Sequence, residues 1–411
     1  MATAVQTFEF DSFEDDSLPS RPAAEAYLEG VCFDVRPPQL LGAELEWMSA
    51  RTSDGERPDL MAVAAALGAH SPKTINPWSP GEPLPAGSFV TVEPGGQLEL
   101  SSAPRRSARE LCDDLAADHR VLRELLAAHS ITLHSAAADV SRSAERLLQS
   151  PRYCAMESRF GGIGPYGKLM MCNTAATQVS VDAGGDPDAV EDRWTLLHDI
   201  GPAFVAAFAC SPRLHGVPEG AWASQRMRTW LELDSPRTAV VAHSGNYATW
   251  ALDVPLMCVR NGDADWTAPA GATFGDWIDG ALDDEIGRLP TYSDLDYHLT
   301  TLFPPVRATG HLEVRYVDAQ PGDLWRVPIA AFDALLSGPG AMSEARGAAR
   351  ATAGRWRDAA EFGLSDLDLR SAATALLSLA ASYSPDPEFV RLLDAAAERC
   401  CRGQAPGPLG G

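Results

Sequence analysis

The chain has 411 residues, with 33 Lys and Arg against 56 Asp and Glu, for a formal net charge of −23. That balance excludes the basic footprint of a nucleic-acid binder and argues against docking on an anionic membrane. It leaves two readings of the acids: a solvated surface, or side chains converging in a pocket that holds cations.

Hydrophobic content of 45% and charged content of 22% are ordinary for a globular protein able to build a large core. Lysine is confined to Lys73 and Lys168, so arginine carries the positive charge. No positive, apolar leader is read at the N-terminus, and no apolar run reaches the roughly 18 residues of a membrane span. The eight cysteines form no CxxC pair. Zinc ribbons and thioredoxin-like sites are therefore not expected, and the chain reads as cytoplasmic with reduced thiols.

Residues 1–20, with Glu9, Asp11, Glu14, Asp15 and Asp16 and no base before Arg21, read as a disordered acidic arm. Residues 21–33 read as a helix and Leu40 to Met48 as a strand. Residues 70–88 are dense in Pro and Gly and form a long loop, a candidate lid that carries Trp78. Short strands are expected at 89–92 and 97–100, around the turn Pro94-Gly95-Gly96. Leu111, Leu115, Leu122, Leu125 and Leu126 recur at helical spacing and predict a helix over 105–128. Strands are expected at 131–140, 168–182, 222–234 and 311–318, with an apolar helix at 188–209. From about Ala330 the chain is alanine-rich and helical, ending in a flexible tail at 401–411. The order of elements favours one α+β domain over 21–400, with a mainly antiparallel sheet.

Gly162, Gly164 and Gly167 fit GxGxxG. That motif means dinucleotide binding only between a strand and a helix. Pro165 interrupts it and the residues before it are not strand-like, so a structural loop is expected.

A different pattern carries chemistry. Side chains two apart on a strand share a face. Glu44 and Glu46 therefore point one way, and Leu45 and Trp47 the other. Gln97 and Glu99 alternate with Leu98 and Leu100 in the same manner, with Glu93 just before the turn. His311, Glu313 and Arg315 share one face against Leu312, Val314 and Tyr316. Thr174, Gln178 and Ser180 share another. Any one such strand can be a solvated sheet face. Several together in one sheet would repel one another without cations, and oxygen ligands suit Mg²⁺ or Mn²⁺ held jointly with substrate phosphates. Arg315 suits a phosphate or a carboxylate, which its planar fork pairs bidentately. Arg226, Arg228 and Arg237 form a second cluster, either an ion-pair network or a site for an anionic substrate.

These motifs resemble the glutamate–cysteine ligases of plants and actinobacteria. The matching segments are GAELEW (42–47), VEPGGQLELSSAP (92–104), RYCAM (152–156), MMCNTAATQVSVD (170–182), MRTWLELDSPRT (227–238), YATWALDVP (247–255) and HLTTLFPPVRATGHLEVRYVDAQP (298–321). The resemblance implies a glutamine synthetase-like fold, a curved antiparallel sheet forming a funnel flanked by helices. It implies ATP-dependent joining of L-glutamate to L-cysteine through γ-glutamyl phosphate, for ergothioneine synthesis in the actinobacterial branch. Carried over by position, Glu44, Glu46, Glu93, Glu99, Gln178 and Glu313 would hold Mg²⁺ (or Mn²⁺). Arg315 would face the γ-phosphate, and Arg152, Thr174, Arg226 and Tyr247 would line the glutamate pocket. LEVRYVD here replaces the plant LEMRGAD, so contacts after Arg315 can differ. The alternatives are a γ-glutamyl ligase for another amine, a non-catalytic cation-binding protein, and a phosphotransferase of the same superfamily.

Overall fold

A computed structural model describes residues 17–262 and 265–407 of the chain. Its centre is an antiparallel sheet of β1 (Leu41–Arg51), β2 (Phe89–Val92), β3 (Leu98–Ser101), β4 (Ile131–His134), β5 (Ala176–Asp182), β6 (Val306–Ala308) and β7 (His311–Asp318). The strand order is β2-β3-β1-β5-β7-β6, with β4 paired to the far end of β1. β1 can serve three neighbours because it is long: its first half pairs with β3 and β5, and Met48–Arg51 pair with β4.

Alternation along these strands separates the two sheet faces. Leu45, Trp47, Leu98, Leu100, Leu312 and Val314 are buried in the core, while the polar residues between them face the other way. Two long helices cover the apolar side. Helix Ala108–Ala127 starts at Ser107, whose side chain accepts from the Glu110 amide, and it buries Leu111, Leu115, Leu122 and Leu126. Helix Pro187–Phe208 opens on an Asp186 cap with Pro187 at its first position, where a missing N–H costs nothing. It packs against β7 and against the C-terminal helices Trp356–Phe362 and Leu367–Tyr383. Helix Pro387–Cys401 is tied back through Asp386, which pairs with Arg109 at 2.7 Å. One continuous hydrophobic cluster runs from Leu18 to Cys400, joining the sheet to the helical C-terminal third. Among the described residues, no helix is long and apolar enough to cross a membrane.

Several elements differ from the sequence reading. Residues 222–234 are not a strand. Ser224 caps a short helix, Gln225–Leu231, with its side chain accepting from the Met227 amide. Residues 168–173 belong to helix Tyr166–Asn173, and the strand begins only at Ala176. The strand expected at 131–140 stops at His134. The GxGxxG segment joins two helices, Pro151–Ile163 and Tyr166–Asn173. A Cβ on Gly167 would lie 2.1 Å from the Phe160 Cβ, so this glycine permits close helix packing. Residues 1–16 of the expected acidic arm, and 408–411 of the expected tail, lie outside the described residues. Ser17 and Leu18 are docked: Ser17 bridges Thr291, and Leu18 is buried with its amide on the Pro290 carbonyl at 2.8 Å.

Candidate active site

The polar face of the sheet floors a cavity of about 560 Å³. Glu44 and Glu46 of β1, Glu93 and Glu99 of the β2–β3 hairpin, and Gln178 of β5 line it together with Arg152, Thr174, Arg226 and Arg315. The register explains the convergence. Glu46 sits opposite Glu99, and Glu44 lies between Ser101 and Gln178.

The acids are crowded: Glu99 is buried, and Glu44, Glu46 and Glu93 are part-buried at the cavity surface. Glu44 accepts from the Ser101 hydroxyl at 2.9 Å. Glu46 accepts from the Ala176 amide at 2.8 Å and from Gln178 Nε2 at 3.1 Å. Glu99 accepts from Thr91 Oγ1 at 2.6 Å and Ser101 Oγ at 3.3 Å. Burial, reinforced by Glu93, pushes Glu46 up to about 8. Burial with Glu44, Glu93 and Glu46 around it drives Glu99 well above the ordinary carboxylate range. Glu44 is raised by burial and by Glu313, and Glu93 by burial against the pull of Arg315.

Glu313 behaves differently. It sits beneath the cavity lining, where Arg307 donates to it from Nε at 2.8 Å and Nη2 at 3.1 Å, and Arg315 donates from Nη1. Burial alone would raise its pKa, but Arg307 and then Arg315 outweigh that and hold it at about 2. Glu313 is therefore an anchor for two arginines in this state.

Arginines line the same cavity beside the acids. Arg315 and Arg226 lie 5.2 Å and 5.6 Å from the Trp230 ring centroid, a cation–π arrangement that orients both. Arg226 also donates to the Arg315 carbonyl at 2.8 Å, and Asp318 lies 3.9 Å from its Nη1. Asp318 is itself held by Ser211 and Ser224 hydroxyls at 2.7 and 2.8 Å. Arg152 grips Thr300 through Oγ1 at 2.7 Å and the carbonyl at 2.9 Å. The arginine cluster read from sequence divides in two. Arg226 enters the cavity, whereas Arg228 caps the Pro218 and Glu219 carbonyls and Arg237 pairs with Asp234 in the core.

The model of the glutamate-cysteine ligase family 2 (GCS2) matches residues 40–385. The chain belongs to this family. It is 35% identical over 417 residues to glutamate–cysteine ligase EgtA of Mycobacterium tuberculosis, covering 99% of this chain and 93% of that protein. It is 40% identical over 315 residues to EgtA of Mycolicibacterium smegmatis, covering 74% and 73%. The chloroplastic glutamate–cysteine ligase of Brassica juncea is 30% identical over 247 residues, covering 58% of this chain and 47% of that one. A crystal structure of the Francisella tularensis glutamate–cysteine ligase in complex with AMP superposes with a TM-score of 0.55 at 12% identity. It covers 90% of this chain and 83% of that one, and at this identity the likeness concerns the fold alone. The α+β architecture expected from the sequence, an antiparallel sheet flanked by helices, is the one observed, and the sheet is not closed.

In this ligase the donors on the sheet suit a hard divalent ion. Gln97 Nε2 donates to the Thr174 carbonyl at 2.8 Å, and Gln178 Nε2 to Glu46, which fixes both amides. Their Oε1 atoms are left buried without a hydrogen-bond partner. Free amide oxygens beside mutually repelling carboxylates are what a cation would satisfy. Among the described residues, no three acid, His or Cys side chains already close into a cage.

One residue expected in the glutamate pocket does not line the cavity. Tyr247 is fully buried, packed edge-on to Phe33 and Trp194, and its hydroxyl accepts from the Ala308 amide at 3.3 Å. It supports β6 from behind. Tyr247→Phe is expected to cost about 1–3 kcal/mol of stability through the unpaired Ala308 amide, while the KM for glutamate stays within about twofold. Chemical denaturation and steady-state kinetics on the same preparation check both. Conversely, sequence reasoning missed Arg307. It sits in the family-matching segment HLTTLFPPVR but on a three-residue strand, too short for alternation to show which way it points.

Proposed function

We propose that this ligase joins the γ-carboxylate of L-glutamate to the amine of L-cysteine, converting ATP to ADP and phosphate and releasing γ-glutamylcysteine in the cytoplasm. The identity to the mycobacterial EgtA proteins supports a destination in ergothioneine synthesis. The observation that carries the reading is a single cavity lined by carboxylates and arginines together. A non-catalytic cation-binding protein would have no use for those arginines.

Glu44, Glu46, Glu93, Glu99 and Gln178 would hold Mg²⁺ or Mn²⁺, with Glu313 joining them where its arginines turn to phosphate. The ion, when bound, offsets the charge of the ATP phosphates and of the approaching carboxylate. Arg315, with Arg307 beside it, would face the oxygens of the transferred phosphoryl group, where charge is spread in the transition state. Arg152 and Arg226 offer forks for the glutamate carboxylates, and the Thr174 hydroxyl, donated to the Met170 carbonyl at 2.7 Å, still offers acceptor lone pairs. The glutamate γ-oxygen attacks the γ-phosphorus and ADP leaves. The cysteine nitrogen, as the neutral amine, then attacks the acyl carbon, the bond from that carbon to the phosphate oxygen breaks, and the amine proton leaves with the phosphate. Aromatic and thioether side chains, among them Tyr153, Met156, Trp230 and Phe303, line the rest of the cavity and limit the water that would hydrolyse the acyl phosphate.

Mass detection of γ-glutamylcysteine from purified protein, ATP, Mg²⁺ and the two amino acids tests the reading. Product should require all five components. Equal ADP release with alanine or ammonia in place of cysteine would reject the acceptor, and no ADP release with any amine would reject the ligase activity.

A further inference from the structure

The turn between β2 and β3 carries Glu93 on one side and Gln97 on the other, and its fixation is unusually complete. Each of its three successive carbonyls is capped by a different part of the chain. Pro94 accepts from the Leu147 amide at 2.7 Å and Leu148 at 3.3 Å. Gly95 accepts from Arg57 Nε at 3.1 Å. Gly96 accepts from the Ser49 hydroxyl at 2.6 Å. Gly95 also lies directly on the last turn of helix Tyr166–Asn173, where a Cβ would come within 2.2 Å of the Cys172 carbonyl.

Arg57 is the hub. It lines no part of the cavity, yet only 9% of its side chain is exposed. While Nε holds Gly95, Nη1 donates to the Ser143 carbonyl at 2.9 Å and Nη2 to Asn173 Oδ1 at 2.6 Å. Asp139 lies 3.7 Å away and is itself paired with Arg142 at 2.5 Å. Arg142 reaches back to the Ser49 carbonyl at 2.8 Å, and Asn173 donates to the Arg142 carbonyl at 2.7 Å. The loop is closed: the Arg57 guanidinium binds the hairpin turn to the entry to β5, and Ser49 and Arg142 tie both to β1. Asn173 immediately precedes Thr174, whose carbonyl holds Gln97. A planar fork with donors in fixed directions can do this, and an ammonium cannot.

We propose that Arg57 is a positioning residue that sets the cation-binding hairpin against the glutamate-pocket residue Thr174, with Ser49 as the second arm of the same clamp. The inference rests on the cation role proposed above for Glu93. Its function is registration: freed at Gly95, the turn would let Glu93 move away from Glu46 and Glu99, and the ion would bind more weakly.

The test is a Mn²⁺ titration in the presence of ADP, read by thermal shift, on wild type, Arg57→Gln, Arg57→Lys and Ser49→Ala, with the Mg²⁺ dependence of turnover measured alongside. Half-saturation should rise at least about tenfold in Arg57→Gln and about threefold in Ser49→Ala, with kcat at saturating metal within about threefold of wild type. Arg57→Lys, which keeps charge but loses the fork, should resemble Arg57→Gln. A merely structural role would lower the melting temperature and leave half-saturation of the folded protein unchanged, and that result overturns the proposal. If Arg57→Gln does not fold, an unchanged half-saturation in the milder Ser49→Ala overturns it equally. Wild-type protein that shows no Mn²⁺ response would instead reject the cation site, and the clamp with it.

Discussion

Replacing Arg315 by alanine is expected to lower the turnover of γ-glutamylcysteine synthesis by at least about 100-fold, the typical loss when one preorganised transition-state donor is removed. Arg315 is held by Glu313 below and Trp230 beside it, and its Nε is buried without a hydrogen-bond partner. It therefore waits with unused donor capacity, already oriented at the cavity surface. Glu313→Gln should cost a similar factor by another route. The carboxylate accepts from Arg307 and Arg315 together, whereas an amide presents one face of donors to two guanidiniums that can only donate. Arg307→Ala is expected to fall between these and wild type, since Arg315 keeps its anchor. Steady-state kinetics at saturating ATP, glutamate and cysteine decide the matter, because a loss confined to KM would indicate ground-state binding only. Near-wild-type kcat in both Arg315→Ala and Glu313→Gln would remove these residues from the phosphates.

The second large effect is on stability and has the opposite sign to the usual one. Glu99→Gln should make the ligand-free protein more stable at pH 8 while abolishing most of its activity. Burial, and then the neighbouring Glu44, Glu93 and Glu46, hold the Glu99 pKa well above the ordinary range. Its two hydrogen-bond partners are hydroxyls, Thr91 and Ser101, and a hydroxyl rotates to suit an amide as well as a carboxylate. The substitution thus replaces a carboxyl that is costly to ionise in this buried setting, at little cost in bonding. Because the folded pKa is raised, the folded state keeps a proton that the unfolded chain gives up near pH 4.3. The stability tied to that proton is complete below about pH 4 and is lost as pH rises through the folded value. The gap between variant and wild type should therefore be widest at pH 8 and close towards pH 4. A tenfold difference in proton affinity between folded and unfolded chain is about 1.4 kcal/mol, so the gap at pH 8 should exceed about 1 kcal/mol. Thermal melts in EDTA from pH 5 to 8 measure it. A variant less stable than wild type at pH 8 would show that the acids are not in electrostatic conflict.

Period-two alternation makes much of this site legible in the sequence itself. Glu44, Glu46, Gln97, Glu99, Glu313 and Arg315 each alternate with a core residue, and each lies on the polar side of the sheet. The failures have equally physical causes. Helix Gln225–Leu231 is buried at Gln225 through Trp230, so no polar face betrays its 3.6-residue period. Helix Tyr166–Asn173 is only eight residues long and runs almost directly into β5, so the two merge into one apolar stretch. Arg307 and Tyr247 show the limit most clearly. Both stand in segments that match the family, and only the packing reveals that the arginine faces the cavity and the tyrosine faces the core.

The strict parity of the strands has a consequence for how such a protein can change. In β1 the even positions 44 and 46 lie on the polar face of the sheet, and in β3 and β7 the odd positions 99, 313 and 315 do. The adjoining numbers in every case are core. Catalysis and packing are thus written on interleaved tracks of one short text. A substitution alters one track and leaves the other intact, so acids and leucines can drift separately. Losing or gaining a single residue within a strand exchanges the tracks from that point on, drives leucines into the cavity and glutamates into the core, and spoils both at once. Length variation between relatives is therefore expected in connections such as 70–88 and not within β1, β3 or β7.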